Sequence, residues 1–204
     1  MSTDADRSSF FVALVVIDIF VGLADSISLP YIVLFLVNEA GFSPLSLSAI
    51  LTARAVSSIV FSMAFGVWID TRTSVAPLSL ALAGSAVGYA LLGLTTDFVA
   101  LLVIAALPAA IGAAAFSQSI ALAKRNFNQA NPHTLNRAVG VLRASWSLAW
   151  AIGPAVGAVM IGAAGFRGAF FASAASGAIA LATLALVRSR AALADAATPV
   201  RRNP

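Results

Sequence analysis

The sequence predicts an all-α membrane protein with six transmembrane helices, and composition and segment length lead to this prediction. Hydrophobic residues make up 60% of the 204 residues, charged residues 10%, and the mean hydropathy is +0.97. Soluble domains carry roughly a quarter charged residues, so this composition excludes most soluble enzymes. The apolar runs are about 20 residues or longer, which suits helices that cross a bilayer, whereas barrel strands are about ten residues of alternating polarity.

Six apolar segments lie between polar breaks that contain turn residues such as Gly, Asn, Asp and Pro. The predicted spans are Phe10–Val37, Pro44–Ile69, Val75–Thr96, Phe98–Ala123, Ala138–Ala163 and Gly168–Val187. Residues 1–9 and 188–204 are expected to be a short N-terminal segment and a tail. The first segment is too long for a signal peptide and carries Asp18 and Asp25, so we expect it to be retained.

The distribution of basic residues predicts the orientation of these spans. Arg167 alone lies in the breaks opposite the termini, while the other side carries most of the lysine and arginine. The residues on the terminal side are Arg7, Arg72, Lys124, Arg125, Arg137, Arg188, Arg190, Arg201 and Arg202. Under the positive-inside rule, both termini of this multi-pass protein are cytoplasmic, in the cell (inner) membrane. The net charge of +4 then reflects orientation, and we expect no nucleic-acid partner.

The chain has few groups for catalysis or metal binding. It contains no cysteine and one histidine, His133, which excludes disulfides, thiolate metal sites and a histidine-rich metal centre. No metal or other cofactor is predicted, and an enzyme is the least favoured class.

Four ionisable residues fall inside the predicted spans: Asp18, Asp25, Arg54 and Arg143. Each costs at least about 2.5–3.5 kcal/mol in hydrocarbon, so each needs a compensating environment. Depth along the helices matches Asp25 with Arg54 and Asp18 with Arg143. The third and sixth spans carry no charge and are expected to face lipid.

These pairs have two interpretations, which the sequence leaves open. They are either buried ion pairs that fix helix packing, or groups in a cavity where a carboxylate exchanges protons or binds solute. Trp146 and Trp150, one turn apart, lie beside Arg143, and Gln118 lies near the cytoplasmic end of the fourth span. This set suits a polar organic solute such as a sugar, although tryptophans in membrane helices are as often packing or interface residues.

A short repeat links the second and fifth spans. Residues 54–58 read Arg-Ala-Val-Ser-Ser and residues 143–147 read Arg-Ala-Ser-Trp-Ser. The two copies lie on spans of opposite direction, which is the pattern of an inverted repeat of three plus three spans.

Two further motifs resemble the major facilitator superfamily. Residues 66–72, with Gly66, Asp70 and Arg72, resemble a reduced form of its cytoplasmic signature loop, in which the Asp caps a helix and pairs with basic residues. The fifth span contains Gly153, Pro154 and Gly157, which look like the fifth-helix motif of proton-coupled exporters. Residues 121–124 and 142–154 are similar to the fourth-loop and fifth-helix region of bacterial sugar efflux transporters in this superfamily.

The resemblance implies one six-helix major-facilitator-type domain, similar to the N-terminal half of such a transporter. A full member has two such domains around a substrate cavity, so the expected assembly is a homodimer that works by alternating access. The implied function is export or exchange of a small polar solute, such as a sugar or a drug-like compound, by proton-coupled antiport. The alternative is a non-transporting membrane subunit, or one half of a hetero-oligomeric or truncated transporter.

Overall fold

A computed structural model describes residues 4–71, 74–127 and 132–197, and these residues are almost entirely helical. The helices are α1 (Asp4–Ser28), a 3-10 turn (Leu29–Tyr31), α2 (Ile32–Asn38), α3 (Pro44–Thr71), α4 (Ala76–Leu92), α5 (Phe98–Ala106), α6 (Pro108–Gly112), α7 (Ala115–Asn126) and α8 (Pro132–Ala197). Proline marks the internal breaks: Pro30 lies in the 3-10 turn, and Pro108 begins α6 after the non-helical Leu107. Proline has no backbone N–H for the preceding turn, which explains both interruptions.

Four helical stretches in the described residues are long and apolar enough to cross a membrane. They are Ser8–Asn38, Pro44–Thr71, Phe98–Asn126 and Pro132–Ser189. The helix Ala76–Leu92 is apolar but shorter. The predicted all-helical membrane class is therefore confirmed.

The long helix α8 is broken near its middle. Ala164 and Gly165 leave helical geometry, and Gly165 has φ of 67°, a left-handed value that favours glycine. We call residues 132–163 the first arm and residues 166–197 the second arm. The second arm continues to Ala197, into the segment predicted as a tail, because alanine-rich sequence favours helix.

Both arms pack against the same end of α1, so the chain reverses direction at the break. The Ser26 hydroxyl donates to the carbonyl oxygen of Ala149 on the first arm at 3.0 Å. The Ser28 hydroxyl lies 3.2 Å from the carbonyl oxygen of Ala169 and 2.6 Å from the Ser173 hydroxyl on the second arm. The two arms therefore form a helical hairpin that holds α1.

Two hydrophobic clusters form the core. The proximal cluster contains Leu14 and Ile17 of α1, and the distal cluster contains Phe35 and Leu36 of α2. Four later segments contribute residues to both clusters, and the order in which each segment meets the two clusters alternates along the chain. The pairs, in chain order, are Ile50 (distal) and Ile69 (proximal), Leu78 (proximal) and Leu92 (distal), Leu101 (distal) and Leu122 (proximal), and Phe170 (distal) and Leu184 (proximal). Successive segments thus run in opposite directions between the two clusters.

Burial differs from the expectation for the third span. That span corresponds to α4, where buried residues include Leu78, Leu82, Gly88 and Tyr89. Gly88 and Gly84 let α4 approach the backbone at Pro108 and Ala109 closely. The third span leaves only a narrow stripe for lipid, with Leu80, Val87 and Leu91 exposed, because small residues without charge also allow tight helix packing. The sixth span, in the second arm, is buried on one side only.

Glycines of the fifth-helix motif bring the first arm against α1. A Cβ at Gly153 would collide with Ser26, and one at Gly157 would collide with the carbonyl oxygen of Ile27. The Tyr31 hydroxyl donates to the carbonyl oxygen of Pro154 at 2.6 Å. Close approach is an important source of helix association in lipid, where the hydrophobic effect between helices is absent.

This packing predicts different effects for two glycine substitutions on α8. Gly153→Ala would overpack the contact with α1 and lower the free energy of unfolding by about 1–3 kcal/mol. Gly162→Ala is the matched control, because a Cβ there meets no atom within 4 Å, and alanine favours helix by about 0.5–1 kcal/mol. Thermal unfolding in detergent measures both. Equal melting temperatures for the two variants would contradict the close contact.

Candidate solute and charge site

Asp25 lies in a buried polar contact between helices. Its side chain is 8% exposed on α1, and the Tyr89 hydroxyl of α4 donates to Asp25 Oδ1 at 2.6 Å. The Arg54 side chain of α3 lies near enough to act on Asp25 through its charge. Within the described residues, the Asp25 carboxylate forms its hydrogen bond with Tyr89 and no ion pair with Arg54, so the predicted Asp25–Arg54 pair is not a direct contact in this structure.

Tyr89 is the hydrogen-bond partner of Asp25, and the sequence analysis did not select it. It is uncharged and lies on the span that was expected to face lipid, although it is only 3% exposed. One signal was available: Tyr31 and Tyr89 are the two tyrosines of the chain, and a buried phenol usually has a hydrogen-bond partner.

Asp18 has a different environment from Asp25. It is fully buried, and neither carboxylate oxygen has a hydrogen-bond partner in the described part of the chain. The Ser119 hydroxyl of α7 lies beside it without forming a well-aligned hydrogen bond. Arg143 is exposed on the first arm, so the expected Asp18–Arg143 pair is absent from this structure. Similar depth did not produce a contact because the Arg143 side chain lies on the outer face of its helix.

The predicted solute residues divide into two groups. Trp146 is half-buried and Trp150 is exposed, and their ring centroids lie 6.4 Å apart. Phe116 of α7, which the sequence did not indicate, extends this row, with its ring centroid 4.5 Å from that of Trp146. Gln118 is 2% exposed and its amide nitrogen lies 3.4 Å from Ser117 Oγ. Gln118 is therefore more deeply buried than the aromatic row of Phe116, Trp146 and Trp150.

A cavity of about 140 Å³ lies at the distal end, beside the α8 break. Its lining includes Glu39, Thr95, Thr96 and Arg167. None of the predicted site residues that the structure describes lines it, so it is separate from the contact of Asp25 with Tyr89.

The predicted signature loop is only partly within the described residues. Gly66 has open space around it, Asp70 is exposed near the end of α3, and Arg72 lies outside the described residues. The Arg125 guanidinium of α7 donates to the carbonyl oxygen of Ile69 at 2.8 Å. A basic residue thus reaches the end of α3 from a helix that the sequence analysis did not connect with this loop.

Comparison with known proteins identifies the family. The family model described as Major Facilitator Superfamily matches residues 14–202. The chain belongs to this superfamily, as its motifs predicted. It is a family of transporters, not of enzymes.

A curated relative from Deinococcus radiodurans, named "Putative sugar efflux transporter", is 38% identical over 154 residues. The match covers 75% of this chain and 40% of the relative. The chain thus corresponds to less than half of that protein's length. No solved structure matches the chain significantly.

The two buried aspartates predict opposite responses to the same substitution. Asp25→Asn would weaken the charge-assisted hydrogen bond from Tyr89 and lower the free energy of unfolding by about 1–3 kcal/mol. Asp18→Asn would leave stability unchanged or raise it, because a buried charged group without a partner is itself unfavourable. Thermal unfolding of both variants in the same detergent tests this. Destabilisation by Asp18→Asn as large as that by Asp25→Asn would show that Asp18 has a stabilising partner.

Proposed function

We propose that this chain is one six-span domain of a transporter that exports or exchanges a small polar organic solute, with a sugar as the leading candidate. The observation that carries the proposal is the 38% identity to a relative named as a sugar efflux transporter, over 75% of the chain. Membership of the superfamily supports transport in general.

The proposed topology has six spans in two inverted groups of three, with both termini on the cytoplasmic side of the cell membrane. It is supported by the alternating direction of successive segments between the proximal and distal clusters. It is also supported by the break at Ala164 and Gly165, which divides α8 into two arms. Residues 10–187 would then form the transmembrane domain.

The proposed assembly is a homodimer, in which α3 and the first arm face the second copy. Only three of the 28 residues of α3 are buried: Ile50, Phe65 and Ile69. Its exposed face carries Val56, Ile59, Val60, Met63 and Val67. The half-buried hydroxyl residues Ser57, Ser58 and Ser62 lie on the same helix, and small residues of this kind favour close helix approach in membranes. Two parallel copies would reproduce the two-domain plan of the family.

In this proposal the partly exposed aromatic row of Phe116, Trp146 and Trp150 contacts the solute. Trp146 and Trp150 supply faces for the apolar side of a sugar ring, and Arg143 supplies donors for its hydroxyl groups. Phe116 extends the row, whereas Gln118 is assigned to packing because it is buried. Rocking of the two bundles would alternate access to this surface.

Proton-coupled antiport is the proposed energy source, with Asp25 as the coupling group. Asp25 is buried and its charge partner Arg54 belongs to the loosely packed helix α3. Movement of α3 would change the charge near Asp25, and such a change alters the proton affinity of a carboxylate.

The second candidate is one half of a transporter whose other half is a different chain. The observation that favours it is that the matched segment spans 40% of the relative's length. A non-transporting membrane subunit would share this feature.

Reconstitution into liposomes tests the proposed transport. A panel of labelled sugars and drug-like compounds is offered with and without an imposed pH gradient, at several protein densities. We expect flux of at least one sugar that increases with the square of protein density when copies are sparse, because two copies form the pathway. Asp25→Asn should remove the effect of the gradient, while Glu39→Gln, a matched change at an exposed residue, should not.

Other outcomes of the same experiment have distinct meanings. Flux proportional to density would contradict the homodimer, and flux that ignores the gradient would contradict proton coupling. No flux for any compound at any density would favour the half-transporter or the non-transporting subunit.

A further inference from the structure

We propose that Asp18 of α1, together with Gln118 and Ser119 of α7, forms a binding site for a small monovalent cation, with sodium as the ion that fits it. The inference goes beyond the proposed function and does not rest on it. Ion binding can be measured without a solute and without a pH gradient.

Asp18, Gln118 and Ser119 carry buried oxygen atoms without hydrogen-bond partners. Asp18 and Ser119 are fully buried, and Gln118 is 2% exposed. Within the described residues, both carboxylate oxygens of Asp18, Gln118 Oε1 and Ser119 Oγ have no hydrogen-bond partner. Buried polar atoms in native proteins normally have one, so a group of atoms without protein partners indicates an ion or ordered water.

Ring contacts show that Asp18 and Ser119 lie at the same level of the bundle. Phe11 of α1 packs against Phe127 at the end of α7, with ring centroids 5.4 Å apart. The two helices run in opposite directions between the clusters. Asp18 follows Phe11 by seven residues and Ser119 precedes Phe127 by eight, which is about 10 Å and about 12 Å of helix rise from the same contact.

A second contact limits this level from the other side. The Trp146 ring centroid lies 4.5 Å from that of Phe116, three residues before Ser119 on α7. A Cβ at Gly22, four residues after Asp18 on α1, would lie 3.5 Å from the Trp146 ring. The same short stretches of α1 and α7 are therefore enclosed by contacts at both ends.

The helix faces agree with this register. Leu14 and Val21, one turn on either side of Asp18 on α1, belong to the proximal cluster. Ala115 and Leu122 hold the corresponding positions on α7 and belong to the same cluster. Residues three or four apart share a helix face, so the unpartnered oxygen atoms of both helices lie within this cluster.

Helix α4 supplies a partner to Asp25 but not to Asp18. Helices α1 and α4 run in the same direction, and Tyr89 of α4 donates to Asp25. Seven residues earlier, the same helix faces carry Asp18 on α1 and the fully buried Leu82 on α4. A leucine side chain has no donor, which explains why the Asp18 carboxylate has no partner from this helix.

The basic residues of this region do not neutralise Asp18. Arg143 of the first arm and Lys124 of α7 are exposed. The Arg125 guanidinium donates to a backbone carbonyl oxygen at the end of α3. A bound cation would balance the charge of an ionised Asp18, since an unpaired charge in this environment is costly.

The set of oxygen atoms selects a hard cation of single charge. Carboxylate, amide and hydroxyl oxygens are the ligands that hard cations prefer. With one carboxylate, a monovalent ion leaves the site neutral, whereas a divalent ion would leave a buried positive charge. The described residues contain no group of three or more His, Cys, Asp or Glu side chains that could hold a metal ion. Burial of all three side chains favours sodium over the larger potassium ion.

Thermal unfolding in detergent tests the site, because a ligand that binds the folded chain raises its melting temperature. The full chain is transferred to sodium-free buffer and titrated with sodium chloride, while choline chloride keeps the ionic strength constant. At a sodium concentration about ten times the dissociation constant, we expect a rise of about 3–6 °C. Potassium should give a smaller rise. Equal melting temperatures in sodium and in choline would overturn the proposal and favour ordered water at these atoms.

Substitutions at the site have matched controls elsewhere. Asp18→Asn should remove the sodium response, whereas Asp25→Asn should retain it, because the Asp25 carboxylate already has Tyr89 as a partner. Ser119→Ala should raise the sodium concentration at half-response about fivefold. Ser176→Ala should not, since that hydroxyl donates to a carbonyl oxygen of its own helix. Equal sodium responses in Asp18→Asn and Asp25→Asn would overturn the proposal.

Direct binding of radioactive sodium to the parent chain does not depend on how any variant folds. We expect one ion per chain, displaced by unlabelled sodium and not by choline. Absence of displaceable binding would overturn the proposal.

A proton is the competing ligand for Asp18. A protonated carboxyl group is neutral and needs no cation. In that case the melting temperature of the parent chain would rise on acidification and would not respond to sodium at any pH. This result would overturn the sodium site.

Sodium binding and transport are separate results. Absence of flux for every solute would count against the proposed function, while a sodium response that requires Asp18 would still support this site. Flux by a chain that neither binds sodium nor responds to it would support transport and reject the site.

Discussion

The close packing of α1 between the two arms of α8 is the contact on which the rest of the bundle depends. Gly153 and Gly157 bring the first arm against α1. The Ser26 hydroxyl donates a hydrogen bond to a carbonyl oxygen of the first arm, and the Ser28 hydroxyl donates one to a carbonyl oxygen of the second arm. In lipid, helix association relies on such close contact and on interhelical hydrogen bonds. The hairpin at Gly165 makes both contacts available to one helix.

The contrast between the tightly packed helices α1, α4 and α8 and the less buried helix α3 indicates where movement can occur. Helices α1, α4 and α8 share buried small residues and hydroxyl contacts, whereas α3 has three buried side chains among 28. Charged groups lie at the junction between these two parts, with Asp25 on the packed side and Arg54 on α3. A transporter domain needs both a scaffold and an element that moves, and Asp25 and Arg54 lie on either side of the junction between the packed helices and α3.

Much of the fold could be predicted from the sequence because its signals are local. Apolar runs, turn residues and Pro30 and Pro108 mark segments without knowledge of their neighbours. The depth of Asp25 and Arg54 likewise follows from residue counts along two helices. Family membership followed from short motifs around Asp70 and Pro154 and is supported by the match over residues 14–202.

The remaining features depend on how each helix is rotated about its axis and on which helices pack together. Counting residues along the sequence predicts depth in the membrane but neither of these. Asp18 and Arg143 have similar depths, but one faces the interior and the other is exposed. The burial of α4 follows from glycines that approach α6, not from hydrophobicity, which is high in every candidate membrane span as well. Tyr89 and Phe116 were missed for the same reason, because each gains its role from a neighbour on another helix.

The most direct test of the six-span arrangement is the side of the membrane that each end of the bundle faces. Single cysteines replace Ser8, Ser189, Thr95 and Ser43, which are at least partly exposed, and a membrane-impermeant maleimide is added to vesicles of either orientation. The hairpin at Gly165 and the alternating segments predict that positions 8 and 189 react from the cytoplasmic side, and positions 43 and 95 from the opposite side. Labelling of positions 8 and 189 from opposite sides would contradict the arrangement.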